Sequence, residues 1–259
     1  MIQFDCHAHV YEQVAAIPNA RYVPEAPASL AQWLTHQKRN KLRGGVIVQV
    51  SFLGTNNTEL CAALSKLDMN RYAGVGVVEL EADGDEMDRL VAAGVRGLRW
   101  NFVGGGRLPN LREQSVQRFL GMLRERNLHL EIHLEGDRLA PLLAPLTDTG
   151  VSIVVDHFGL PSHEDPHQDP LVRAVGELVD RSRLYFKFSA HYRTPFDLKC
   201  HAQALLHHLS GTNIVWGSDW PHTQHECETD YDSVFDLCDK WGLGSDHAAV
   251  QSLYGLSAE

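Results

Sequence analysis

Imidazole and carboxylate groups concentrate at four places in this chain: Asp5-Cys6-His7-Ala8-His9, Glu131-Ile132-His133, Val155-Asp156-His157 and Ser218-Asp219-Trp220-Pro221-His222. A carboxylate ionised at neutral pH can take a proton from water, and an imidazole can donate to an oxygen that gains charge or hold a metal ion. Taken singly, any of these residues reads as an ordinary loop residue. Taken together, His7, His9, His133, His157 and Asp219 would be costly to bury unless they pair or bind something, so a shared site is expected wherever the fold gathers them.

Gathering them is a task for strands. Short β-branched or apolar runs recur at residues 3–7, 45–50, 73–78, 95–100, 128–133, 151–156, 184–188 and 213–216. Amphipathic stretches of helical period separate most of them, at 29–43, 58–67, 85–93, 113–126, 170–181 and 197–209. Strands that are nearly all apolar and spaced widely enough for a crossover helix predict a parallel sheet buried on both faces. Eight such units in 259 residues predict a single-domain (β/α)8 TIM barrel over residues 1–259. An open doubly wound sheet is the rival, but no glycine-rich phosphate-binding turn follows the first strand. The four clusters then fall at the carboxyl ends of strands 1, 5, 6 and 8, where barrel enzymes build their sites. Alternation aims His7 and His9 into the mouth with Cys6 turned away, and sets Arg96 outside opposite Arg99.

Composition narrows the partners. A net charge of −10 argues against nucleic acid and anionic membrane surfaces. Seventeen Arg against six Lys still allows local anion recognition. Five cysteines without a Cys-x-x-Cys pair argue against a disulfide framework, and with no signal-like or membrane-spanning segment they predict a cytoplasmic protein. The sequence leaves a homo-oligomer open. Trp216 and Trp220 read as packing residues, His163, His167 and His225 as exposed loop histidines, and Cys227 lacks the surroundings of a nucleophile.

His-x-His after the first strand, with an Asp after the eighth, resembles the amidohydrolase superfamily. The blocks FDCHAHVYE, VIVQVSFLGTNN, GVRGLRWNF, VVDHFGLP and WGSDWPHTQHE, spread over residues 4–225, are similar to its 2-pyrone-4,6-dicarboxylate hydrolase branch, which includes related lactonases. The resemblance implies opening of a small, anionic lactone by an activated water. By position it makes Asp219 the general base and gives His7, His9 and His157 the carbonyl to polarise. It makes Ser51, Thr55, Arg99 and Arg193 substrate-binding, with His222 reaching substrate or Asp219. Ser51 and Thr55 read equally well as caps of the following helix, and each Arg as the partner of a surface acid.

Two departures bear on the substrate. Leu160 stands where such dicarboxylate hydrolases carry an Arg, and Gly104-Gly105-Gly106-Arg107 replaces a second, so that Arg107 on its loop is the candidate compensation and a lactone with fewer charges is the alternative. The branch implies either no cofactor or one divalent metal ion, for which His7, His9, His133 and Asp219 would be an acceptable zinc ligand set beside His157. A zinc-dependent decarboxylase of an aromatic or unsaturated acid, or a zinc-dependent sugar lactonase, is the competing reading, although the decarboxylases lack the SFLGT and SDWPHTQHE blocks.

Overall fold

A computed structural model describes residues 1–18, 20–209 and 211–257. Eight strands run β1 Phe4–Ala8, β2 Gly44–Val48, β3 Tyr72–Gly76, β4 Val95–Asn101, β5 His129–His133, β6 Ile153–Val155, β7 Leu184–Phe188 and β8 Ile214–Trp216. Neighbours are parallel and sheet order equals chain order, the signature of right-handed crossovers winding one way round a barrel. The helices between them are α1 Leu30–Arg39, α2 Thr58–Leu64, α3 Gly84–Ala92, α4 Gln114–Glu125, α5 Gly136–Thr147, α6 Pro170–Glu177 and α7 Lys199–His208. After β8 come α8 Tyr231–Phe235, α9 Leu237–Trp241 and α10 His247–Tyr254. No described helix is long and apolar enough to cross a membrane.

Local chemistry starts several of these helices. Ser29 and Gln32 form a reciprocal capping box on α1, and the Asp169 carboxylate accepts from Leu171 and Val172 N–H while Pro170 takes the first turn of α6. Helix α5 has no counterpart among the expected helices because Pro141 and Pro145 interrupt its pattern; both lie inside it nonetheless, carried by the buried face of Leu139, Leu143 and Leu146.

Two cores result. Outward-facing strand residues such as Ile47, Leu98, Ile132, Val155 and Trp216 pack under the helices. Inside the barrel Phe4, Val46, Val48, Val75, Val154 and Val215 form a compact layer, against which Val250, Leu253 and Tyr254 of α10 pack. Cys6 belongs to that inner layer, contrary to the alternation expected of β1. The cause is a slip in the β1–β2 register: Asp5 lies opposite Gly45, yet Ala8 lies opposite Ile47, so three steps on one strand match two on the other. Without that extra residue a strand could not turn both Cys6 and His7 inward.

Candidate active site

The ends of β1 and β8 meet backbone to backbone. Asp219 N–H donates to the His7 carbonyl at 2.8 Å and His9 N–H to the Trp220 carbonyl at 2.7 Å. Gly217 permits this approach, since a Cβ there would lie 2.5 Å from that of His7. Behind the contact the buried Asp5 carboxylate accepts from Trp33 Nε1 at 2.8 Å, Ser218 N–H at 2.9 Å, Ser218 Oγ at 2.7 Å and Tyr231 Oη at 2.9 Å. The Ser218-Asp219 step is thereby pinned from outside the barrel. Asp219 (φ 57°) and His157 (φ 52°) both hold left-handed backbone, a strain of roughly 1 kcal/mol or more apiece that surrounding bonds must sustain.

Asp219 is fully buried and its two oxygens differ. Oδ2 accepts from Tyr192 Oη at 2.7 Å and from Arg193 Nη2 and Nε at 2.9 and 3.1 Å. Among the described residues Oδ1 has no hydrogen-bond partner, and it faces Nε2 of His7, His9 and His157 at 3.6, 3.6 and 3.8 Å. Burial alone would raise the Asp219 pKa; the Arg193 guanidinium outweighs it and holds the carboxyl well below the usual range. Burial pushes the pKa of His7, His133 and His157 well down, so those rings are neutral at neutral pH.

The fixed hydrogen bonds sort the imidazoles. His9 Nδ1 lies 2.8 Å from the Val48 carbonyl, which can only accept, so Nδ1 carries a proton, and in the singly protonated ring a lone pair turns toward Asp219. In that form His9 accepts at Nε2, whereas the expected part of polarising a carbonyl needs a hydrogen there. His157 Nδ1 shares a 2.8 Å hydrogen bond with Ser189 Oγ, which allows either tautomer. Below them the barrel interior carries Arg99 on β4, Glu131 on β5, Asp156 after β6 and Lys187 on β7, all buried. Arg99 Nε and Nη2 each lie 2.8 Å from Asp156 Oδ2, and Lys187 Nζ donates to Glu131. Burial and the Asp156 charge push Glu131 up, while Arg99 holds Asp156 well down despite its burial.

A cavity of about 410 Å³ opens over this cluster, lined among others by His9, Ser51, Arg99, His133, His157 and Asp219. A neighbouring one of about 640 Å³ shares Arg21, Ser51, Arg99, Asn101, Val103 and Gly104 with it. His7, His9, His157 and Asp219 thus come together, and Arg193 reaches them, although committed to Asp219 rather than free to clamp a ligand. Ser51 lines both cavities and Thr55 the larger one. Helix α2 begins behind Asn57, so neither of them caps it.

Other expected residues stand elsewhere. Arg107 is exposed and lines neither cavity, because its glycine loop carries it outward. His222 is buried beside Tyr192, with ring centroids 5.7 Å apart, lines neither cavity, and is pushed by burial to about 4. His133 lines the smaller cavity next to His157, both its nitrogens unpartnered. His225 is half-buried in the cavity wall rather than exposed, whereas His163 and His167 are exposed and Trp216 is packed. Residues unforeseen in the sequence are Arg21, Tyr192 and Lys187. Arg21 comes from an irregular loop and bonds the Val103 carbonyl and, at 3.0 Å, Asn101 Oδ1.

The expected zinc set does not assemble. Among the described residues the groups with ligand atoms within 4.8 Å of one another are His7, His157 and Asp219, and His7, Glu131 and Asp156; His9 and His133 are in neither. In both groups cations are already seated, Arg193 on Asp219, Lys187 on Glu131 and His7, and Arg99 on Asp156. Arg193, half-buried, and the buried Arg99 and Lys187 already stand on these carboxyl groups, and a dication added here would meet their repulsion, so the residues present do not fit one.

Comparison with known proteins shows the family of the chain. The sequence model of a family described as amidohydrolase matches residues 4–256. A 4-sulfomuconolactone hydrolase of Rhizobium radiobacter is 26% identical over 231 residues, covering 85% of this chain and 76% of that protein. A 2-pyrone-4,6-dicarboxylate hydrolase of Comamonas testosteroni is 24% identical over 237 residues, covering 84% and 76%. A solved structure from Acinetobacter baumannii, described as a probable 2-pyrone-4,6-dicarboxylic acid hydrolase with citric acid bound, superposes with a TM-score of 0.89 at 30% identity and covers 99% of this chain and 100% of that one.

Proposed function

We propose, from the premise that this chain belongs to the amidohydrolase family, that it hydrolyses the ester bond of a small lactone bearing at least one carboxylate. The observation that carries this reading is Asp219 Oδ1: buried, ionised, unbonded among the described residues, and 3.6 Å from His9 Nε2, which in the singly protonated ring offers a lone pair. Two such acceptors call for a shared donor, and a water seated beside them on the cavity side can give one hydrogen to each. Asp219 then removes the proton as the water oxygen attacks the lactone carbonyl, and imidazole N–H of His157 and His7 receives the charge growing on the carbonyl oxygen. Collapse breaks the ring C–O bond, the leaving oxygen takes the proton back from Asp219, and a ring-opened hydroxy acid departs. Arg99, Arg193 and Arg21 at the cavity wall supply the positive potential that suits an anionic substrate. The named relatives act on carboxylated or sulfonated lactones, and one neighbour binds citric acid, which supports an anion-accepting cavity here.

The test is a turnover screen of 2-pyrone-4,6-dicarboxylate, muconolactones and sugar lactones, following acid release with and without prior chelation. Acid release from a carboxylated lactone, undiminished by chelation, is the expected result. Release of CO₂ from an aromatic acid would replace the reading by a decarboxylase, and loss of activity on chelation would restore the metal.

A further inference from the structure

Lys187 is fully buried inside the barrel, an expensive place for a charge, and the hydrolytic steps above do not use it. Its surroundings account for two of its three N–H donors and set a second carboxylate beside the third. One meets Glu131 Oε2, one meets His7 Nδ1 at 3.2 Å, and Asp156 Oδ1 lies 3.6 Å away. Since an ammonium has three hydrogens and no lone pair, its contact with His7 Nδ1 requires Nδ1 to be the bare nitrogen. The ring proton must then be on Nε2, which points toward Asp219 Oδ1 at 3.6 Å.

Two other groups approach Nδ1 and would favour the opposite tautomer. Asp156 Oδ1 stands 3.3 Å from it and Glu131 Oε1 3.7 Å, yet neither oxygen has a hydrogen-bond partner, so their alignment with the ring plane is poor. Removing the lysine would leave these carboxyl groups beside Nδ1 and draw the proton onto it.

We propose that Lys187 is a positioning residue that fixes His7 as the Nε2–H tautomer, so that His7 donates to the lactone carbonyl oxygen while His9, fixed by the Val48 carbonyl as the opposite tautomer, accepts from the attacking water. The two histidines of one His-x-His pair thereby take complementary parts, one toward each reacting oxygen. The catalytic half of this inference rests on the lactonase reading; the tautomer assignment stands on the hydrogen bonds alone.

Nitrogen-15 spectra of histidine-labelled protein test it, with the His7 signals identified by their loss in His7→Gln. The native protein is expected to show His7 protonated on Nε2, and Lys187→Met to move that proton to Nδ1 with kcat lower by about 10²-fold, the scale for one lost oxyanion donor, and KM nearly unchanged. Because Lys187→Met strands Glu131 in the interior, Lys187→Met/Glu131→Gln serves as the second variant, with the same tautomer shift expected. A native His7 protonated on Nδ1 overturns the proposal, as does an unmoved tautomer or an unchanged kcat in a folded variant. An Nε2–H tautomer in a protein that opens no lactone would instead overturn the lactonase reading and leave the assignment of the ring proton standing.

Discussion

Asp219→Asn is expected to lower kcat by about 10³- to 10⁴-fold, the scale of a lost general base and roughly 4 to 5.5 kcal/mol of barrel-mouth catalysis. The substitution removes the proton acceptor and little else. Asparagine tolerates the left-handed backbone at φ 57°, its carbonyl can still accept from Tyr192 and Arg193, and its amide can donate to the His9 lone pair. Thermal unfolding should therefore stay close to that of the native protein, and a non-hydrolysable anion should bind with similar affinity. A variant that keeps more than a tenth of native kcat would remove Asp219 from the role of base and with it the proposed chemistry.

Arg193→Met comes second, and its signature is in the pH profile. The Arg193 guanidinium is the main attraction opposing burial at Asp219, so deleting it lets that carboxyl titrate at higher pH. Only the ionised carboxylate can take a proton, so the acid limb of kcat/KM should move upward, with activity lost earlier as the pH falls. Near neutrality kcat/KM should also drop about ten- to a hundredfold, the range for a charge-assisted hydrogen bond, here one that holds Asp219 in place. Profiles of both proteins on one substrate decide the matter; a limb that stays in place would mean that Arg193 does not govern Asp219.

The barrel could be read from the sequence because several of its strands are nearly all apolar and its helices keep one apolar stripe, patterns that survive inspection of a single chain. Helix α5 escaped that reading since its prolines broke the pattern while tertiary packing kept the helix. The imidazoles and Asp219 were visible as strand-end residues. What alternation could not convey was the bulge in β1, which places Cys6 and His7 on one side. Arg107 and Arg21 show where charge counting fails: both are loop arginines, and the path of the loop alone decides which faces the cavity. Lys187 did leave a trace, as a lone charge in the aromatic run Leu184–Phe188, and a lysine there is tolerable only with carboxylates to meet it.

The hydrogen bonds that join β8 back to β1 run through the main chain of His7, His9, Asp219 and Trp220. Residues proposed to work on substrate are also the clasp of the ring. Chemistry and architecture share one set of bonds here, so any change that loosens the clasp blunts the enzyme in the same stroke, and evolution is freer to rework the outlying loops for a new lactone than to touch this joint.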